Sequence, residues 1–182
     1  MISTRRIFVS NQTLKIMHTK LIATLVLFFI NYSLTAQNPR KMKSIQTEII
    51  INASQKKVWK ALTDFENYPN WNTFIISIEG ELKEGSRLKN KMILDGKENV
   101  FKPKILKIIP NEHLEWLGKA PLGIFNGQHY FKLEAINPTQ TKLIHGENFS
   151  GWLRGMIMKK IGNATRESFI QMNKNLKKLV ES

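Results

Sequence analysis

The chain has 182 residues, 42% of them hydrophobic and 23% charged. That composition suits one globular domain with a sizeable core and excludes a chain too polar to fold. There is no cysteine, which excludes disulfides, thiolate metal sites, a cysteine nucleophile and a lipid-modified cysteine.

Lys and Arg number 28 and Asp and Glu 14, a formal net charge of +14. Arg5, Arg6, Lys15 and Lys20 stand in an N-terminal stretch without a single acid, and the rest of the excess is spread in short runs. Such an excess attracts nucleic acid or an anionic membrane surface. No nucleic-acid motif accompanies it. A solvated basic surface is the plainer reading, nucleic acid is not an expected partner, and peripheral membrane contact stays open.

Lys20 precedes a mostly apolar run of about ten residues, Leu21 to Ile30, and Leu34-Thr35-Ala36-Gln37 follows. A basic flank, a short apolar centre and a small residue before polar chain make a signal-peptide pattern, with cleavage after Ala36 and a start at Met17. The run is short for a bilayer span. The pattern predicts an exported, periplasmic protein. Translation from Met42 would instead leave it cytoplasmic, and an uncleaved anchor is a third arrangement. Residues 1–41 are read as leader and 42–182 as the folded domain.

Ser44 to Asn52 places Ile45, Thr47, Ile49 and Ile51 on one alternation, which predicts a strand with one buried face. Ser54 is a helix N-cap, Val58, Ala61, Leu62 and Phe65 follow at helical spacing, and Pro69 interrupts. Two short helices are therefore expected between Ser54 and Trp71. Phe74, Ile76 and Ile78 alternate on a second strand that Gly80 ends. Leu88 to Leu94 is a third, and Asp95-Gly96 is a two-residue hairpin signal. Glu98 to Ile109 reads as one long strand, with Pro103 marking an edge or a bulge. Leu114, Trp116 and Gly118 alternate on the next. An apolar loop, Pro121 to Phe125, could border a cavity mouth together with Gly151. His129, Phe131, Leu133 and Ala135 alternate, Asn137-Pro138-Thr139 turns the chain, and Thr141, Leu143, His145, Glu147 and Phe149 alternate on the last strand. Trp152 to Ser182 has no proline. Leu153, Ile157, Ile161, Ala164, Met172, Leu176 and Leu179 form its apolar stripe, which predicts an amphipathic helix about 45 Å long. Hairpin-length connections make the sheet antiparallel and the class α+β.

Ile49-Ile50-Ile51-Asn52-Ala53-Ser54, Val58-Trp59, Leu62-Thr63-Asp64 and Tyr68-Pro69-Asn70-Trp71-Asn72-Thr73-Phe74 resemble the START-like, or SRPBCC, superfamily. Its pattern is an apolar strand, Ala-Pro, a helix opening with Val-Trp, Leu-Thr-Asp, and a Trp-Asn-Pro-Phe turn. Here Ser54 replaces the first proline and Thr73 the second. Leu114-Glu115-Trp116, Gly127-Gln128-His129-Tyr130-Phe131 and His145-Gly146-Glu147-Asn148-Phe149 look like its bacterial polyketide cyclase and dehydrase-like branch. The resemblance implies a helix-grip fold: a curved antiparallel sheet of about seven strands around the C-terminal helix, with a cavity between. It does not select one activity.

If Leu133 opposes Leu143, then Phe131 opposes His145 and His129 opposes Glu147, all on the buried alternation. His129, His145 and Glu147 are thus the candidate catalytic residues, either as an acid–base pair or as a buried polar pair that fixes strand register. They match a metal site in number only, so no metal is expected, and no glycine-rich phosphate loop points to a cofactor. Trp71, Phe74, Met92, Trp116, Phe131, Phe149, Trp152, Met156, Ile157 and Met172 are candidate cavity residues. Three functions follow: binding or transport of a hydrophobic small molecule (lipid, isoprenoid or aromatic compound), a cyclase, dehydrase or isomerase using the His/Glu pair, or an interaction module with a basic surface. The oligomeric state is not legible.

Overall fold

In the computed structural model the described residues are 43–182. The leader reading over residues 1–41, with its alternative starts and its boundary at residue 42, lies outside them. Strand β1 (Lys43–Ile51) buries Ile45, Thr47 and Ile51 and exposes Gln46, Glu48 and Ile50. Ser54 then accepts a hydrogen bond from the Lys57 amide at 3.3 Å and starts helix α1 (Gln55–Thr63), whose Val58 and Leu62 are buried. This satisfies one of the amides that a helix start leaves unpaired. A single 3-10 turn (Phe65–Asn67) leads into the short helix α2 (Tyr68–Trp71). Pro69 sits in the first turn of α2, where its missing N–H costs nothing.

Strand β2 (Ile75–Glu79) carries a bulge between Ile75 and Ser77. The bulge resets the alternation, so Phe74, Ile75 and Ile78 are buried rather than Ile76. Strands β3 (Lys89–Leu94) and β4 (Lys97–Phe101) are joined by Asp95 and Gly96, both at positive φ (52° and 70°), as a primed hairpin turn demands. The single strand expected over Glu98 to Ile109 is two strands. Pro103 has no N–H for a ladder and divides β4 from β5 (Lys104–Ile109). The two then join different sheets, so the described residues hold eight strands.

Strands β6 (His113–Lys119), β7 (Asn126–Asn137) and β8 (Gln140–Ser150) complete an antiparallel sheet of order β1-β8-β7-β6-β5, and β2-β3-β4 form the other. The sheets are stitched at β5, where the Leu88 amide donates to the Pro103 carbonyl and the Ile105 amide to that of Ser86, both at 2.9 Å. The Asn137 side chain accepts from the Thr139 amide at 2.9 Å and shapes the turn between β7 and β8. The register is the one the alternation implies: Leu133 opposite Leu143, Phe131 opposite His145, His129 opposite Glu147.

Helix α3 (Arg154–Glu181) packs along β1 and β8. Its buried line is Met158, Thr165, Phe169, Met172, Asn173, Leu176 and Val180. That line corrects the stripe read from apolar residues alone. Only Met172 and Leu176 are shared: the deepest line runs through the apolar Met158, Phe169 and Val180, which the stripe left out, and through Thr165 and Asn173, which a search for apolar residues passes over. Leu176 is fully buried. Replacing it with Ala should cost about 2–5 kcal/mol in urea denaturation, against less than about 0.5 for Lys174→Ala on the exposed side.

Candidate functional site

His129 and His145 project from β7 and β8 onto α3. Their Nε2 atoms are 2.9 Å apart. His145 Nδ1 is 2.8 Å from Asn173 Oδ1, and Asn173 Nδ2 donates to Thr47 Oγ1 at 2.9 Å. Thr47 Oγ1 in turn donates to the His145 backbone carbonyl at 3.1 Å. At the other end, His129 Nδ1 is 3.4 Å from Glu147 Oε2. Aromatic faces enclose the imidazoles. His129 stacks on Trp116 (5.1 Å between centroids, 13° between planes) and His145 on Phe169 (4.0 Å, 19°).

This geometry determines where the protons are. A carbonyl only accepts, so the Thr47 hydroxyl donates to it and its oxygen receives the Asn173 amide. Asn173 Oδ1 therefore faces His145, whose Nδ1 carries the proton. Burial pushes the His129 imidazole down to about 3, and burial together with the neighbouring His129 holds His145 well below the usual range. Both rings are neutral. A neutral His145 has a bare Nε2 and accepts from His129 Nε2–H. The bare Nδ1 of His129 must then accept from Glu147, which is a protonated carboxylic acid. Burial likewise pushes Glu147 up to about 8. Five hydrogen bonds thus run in one direction, from Glu147 to a main-chain carbonyl.

Glu147 faces a cavity of about 140 Å³ between the two sheets and α3. Phe74, Asn90, Met92, Leu94, Phe101 and Pro103 form the wall on the β2–β4 side. Trp116, Gly127, His129, Glu147 and Phe149 form the facing wall. Ile161 and Thr165 of α3 close one side, and Gly118, Lys119, Ala120 and Phe125 another. Gly127 has no side chain for a reason. A Cβ there would collide with Glu147 Oε1. That oxygen has no hydrogen-bond partner among the described residues. Asn90 is buried, and its Oδ1 likewise has none.

A family model described as "Polyketide cyclase / dehydrase and lipid transport" matches residues 42–181. The chain belongs to this family. Solved structures agree on the fold. The Zhui aromatase/cyclase from Streptomyces sp. R1128 is 12% identical with a TM-score of 0.64, over 77% of this chain and 94% of that one. A START superfamily protein from Mycobacterium smegmatis is 21% identical with a TM-score of 0.61, over 76% and 97%. A norcoclaurine synthase from Thalictrum flavum is 12% identical with a TM-score of 0.61, over 77% and 94%. At these identities the likeness concerns the helix-grip fold alone. No match is found among curated protein sequences.

Within this polyketide cyclase/dehydrase and lipid-transport domain, His129, His145 and Glu147 form one connected group. Of the candidate cavity residues, Phe74, Met92, Trp116 and Phe149 line the cavity. Trp71, Phe131 and Met172 are buried in the core outside its wall, and Ile157 is half-buried away from it. Trp152 and Met156 are exposed. Sequence reasoning passed over Asn90, Thr165 and Asn173. Asn173 had a signal, an amide set among Phe169, Met172 and Leu176 on one helix face. Among the described residues no group of three or more His, Asp or Glu is placed to hold a metal ion.

The proton positions make stability depend on pH with a definite sign. Between about pH 4.5 and 8 the folded state keeps a proton on Glu147 that the unfolded chain releases, so stability falls as pH rises. Between about 3 and 6.5 the unfolded chain binds protons on His129 that the folded state refuses, so stability rises with pH. Only the Glu147 loss operates from pH 6.5 to 8, where it should reach about 2 kcal/mol. Glu147→Gln, whose amide also donates to His129 Nδ1, should flatten that limb. Urea denaturation across this range checks it, and parallel curves for the two proteins would contradict the assignment.

Proposed function

We propose that the protein binds a small hydrophobic molecule bearing a hydroxyl group and holds it without chemical change. The observation that carries this reading is a buried polar atom without a partner, Asn90 Oδ1, and a second free acceptor, Oε1 of the half-buried Glu147, on facing walls of one largely apolar cavity. A buried polar group without a partner is costly, and a ligand that satisfies it recovers the loss. Because Glu147 gives its proton to His129, it offers the ligand only an acceptor. A hydroxyl matches that acceptor. A ligand carboxylate or ether oxygen sets two acceptors against each other.

The cavity volume narrows the body of the ligand. About 140 Å³ is close to the roughly 150 Å³ that holds a benzene ring in an engineered cavity. It is well below the roughly 300–1,000 Å³ of drug-sized pockets. A single ring or a short branched chain fits inside. A longer molecule extends past the rim, where Phe101 and Lys119 are exposed. The leader pattern at residues 17–36 supports an exported carrier.

An enzymatic reading draws on Glu147, since a carboxyl held at about 8 is poised as a general acid near neutral pH. The direction of the hydrogen bonds favours recognition instead. They run inward from Glu147 and end on the His145 carbonyl, so the chain of bonds offers no proton outlet.

Calorimetry with 4-ethylphenol and its methyl ether, 4-ethylanisole, tests the proposal. The phenol should bind at least about 10-fold more tightly, as loss of one buried hydrogen bond implies. Glu147→Gln should keep phenol affinity within about 3-fold, while Glu147→Leu should lose about 10-fold or more. Equal affinity for phenol and ether would overturn hydroxyl recognition. If conversion of a bound compound falls about 10²–10⁴-fold in Glu147→Gln, the carboxyl acts as acid or base and the enzymatic reading replaces the binder.

A further inference from the structure

The loop between β6 and β7 meets the segment between β8 and α3. The Leu153 amide donates to the Ile124 carbonyl at 3.0 Å. Gly151, at φ 110°, lies so close to the Gly123 and Ile124 carbonyls that a Cβ there would collide with them. Three large apolar side chains stand out from these joined segments and the first turn of α3 that follows them: Leu122 is 93% exposed, Trp152 63% and Met156 65%. A left-handed backbone at Leu122, φ 55°, holds that residue in the turn Pro121–Gly123. Scattered single apolar residues on a surface need no explanation, but three on two touching segments do.

The charges along these two segments have one sign. Residues 116–133 and 148–166 contain no Asp or Glu. Lys119 is exposed at the end of β6, where the loop begins, and Lys159 and Lys160 are exposed three and four residues beyond Met156, on its face of α3. We infer that this end of the molecule docks on an anionic lipid surface, with Leu122, Trp152 and Met156 entering the headgroup layer and Lys119, Lys159 and Lys160 meeting lipid phosphates. Trp favours that layer because its ring is apolar and its N–H is polar. Lysines attract anionic headgroups, whereas lysine is depleted at protein–protein interfaces. Among the described residues no helix is long and apolar enough to cross a membrane. Lys119 at the end of β6 and Ala120 and Phe125 of the loop line the cavity, so the docked end carries part of the cavity's rim.

The test is co-sedimentation of the full chain with phosphatidylcholine vesicles, with and without about 30% phosphatidylglycerol. Binding should need the anionic lipid and fall at least about 10-fold between about 0.05 and 0.5 M salt. The exposed-site variant Leu122→Ser/Trp152→Ser/Met156→Ser should keep its fold by circular dichroism and lose at least about 10-fold in vesicle affinity. Tryptophan emission should shift to the blue with anionic vesicles, and Trp152→Phe should remove the shift. Equal binding of the triple variant would mean that the apolar run Leu21–Ile30 holds the vesicle, and would overturn the inference. So would equal binding to uncharged vesicles, no binding, or association with an acidic protein in place of lipid.

Discussion

Most of the interior depends on one constraint: a main-chain carbonyl can only accept a hydrogen bond. The His145 carbonyl takes the Thr47 hydroxyl, and that choice passes through Asn173, His145 and His129 to Glu147. Each link leaves its neighbour one role. The outcome is a neutral set of groups in a region that could not hold isolated charges without large cost. The set joins β1, β7, β8 and α3, so sheet and helix are bound by directional bonds as well as by apolar packing.

Such a network specifies geometry more than it stabilises. Paired buried polar groups return little net free energy over well-packed apolar ones, yet leaving one unpaired costs about 1–3 kcal/mol. A one-residue slip of β7 on β8 would turn His129 away from both His145 and Glu147. A rotation of α3 would strand Asn173. The polar residues in the helix's deepest line thus penalise wrong dockings that leucines would tolerate. Gly127 adds a steric condition, because the Glu147 carboxyl fills the place a side chain would take.

Strand alternation and turn chemistry made the architecture legible. The β7–β8 register followed from matching Leu133 to Leu143 across the Asn137-Pro138-Thr139 turn, and it brought His129 to Glu147. Contacts between residues far apart in sequence were not legible. Thr47 and Asn173 are 126 residues apart, and no local pattern links them. Pro103 was read as marking an edge or a bulge in one strand, whereas it hands the chain from one sheet to the other. The cavity wall was the least legible part. Aromatic and methionine residues suit a core and a cavity equally, so Phe131 and Phe149 look alike in sequence, yet only Phe149 lines the cavity. Asn90 was passed over because an isolated amide on a strand reads as surface.

The two ends of the cavity differ in kind, and the difference bears on how a ligand would travel. At the inner end Glu147 is fixed by bonds that begin in backbone and packed rings, so its acceptor hardly moves. Toward the rim, Ala120 and Phe125 belong to a loop whose own turn is a single 3-10 turn with a left-handed residue. That loop is held to the body by backbone contact with Gly151 and Leu153, just before α3, and by Phe125, whose ring stacks on Phe149. A surface that engaged Leu122, Trp152 and Met156 would pull on both joined segments at once. The displacement would reach the rim before it reached Glu147. A fold with one polar end fixed by a bonded network and a rim carried on a loop can exchange an apolar guest with its surroundings while keeping the group that recognises it in place.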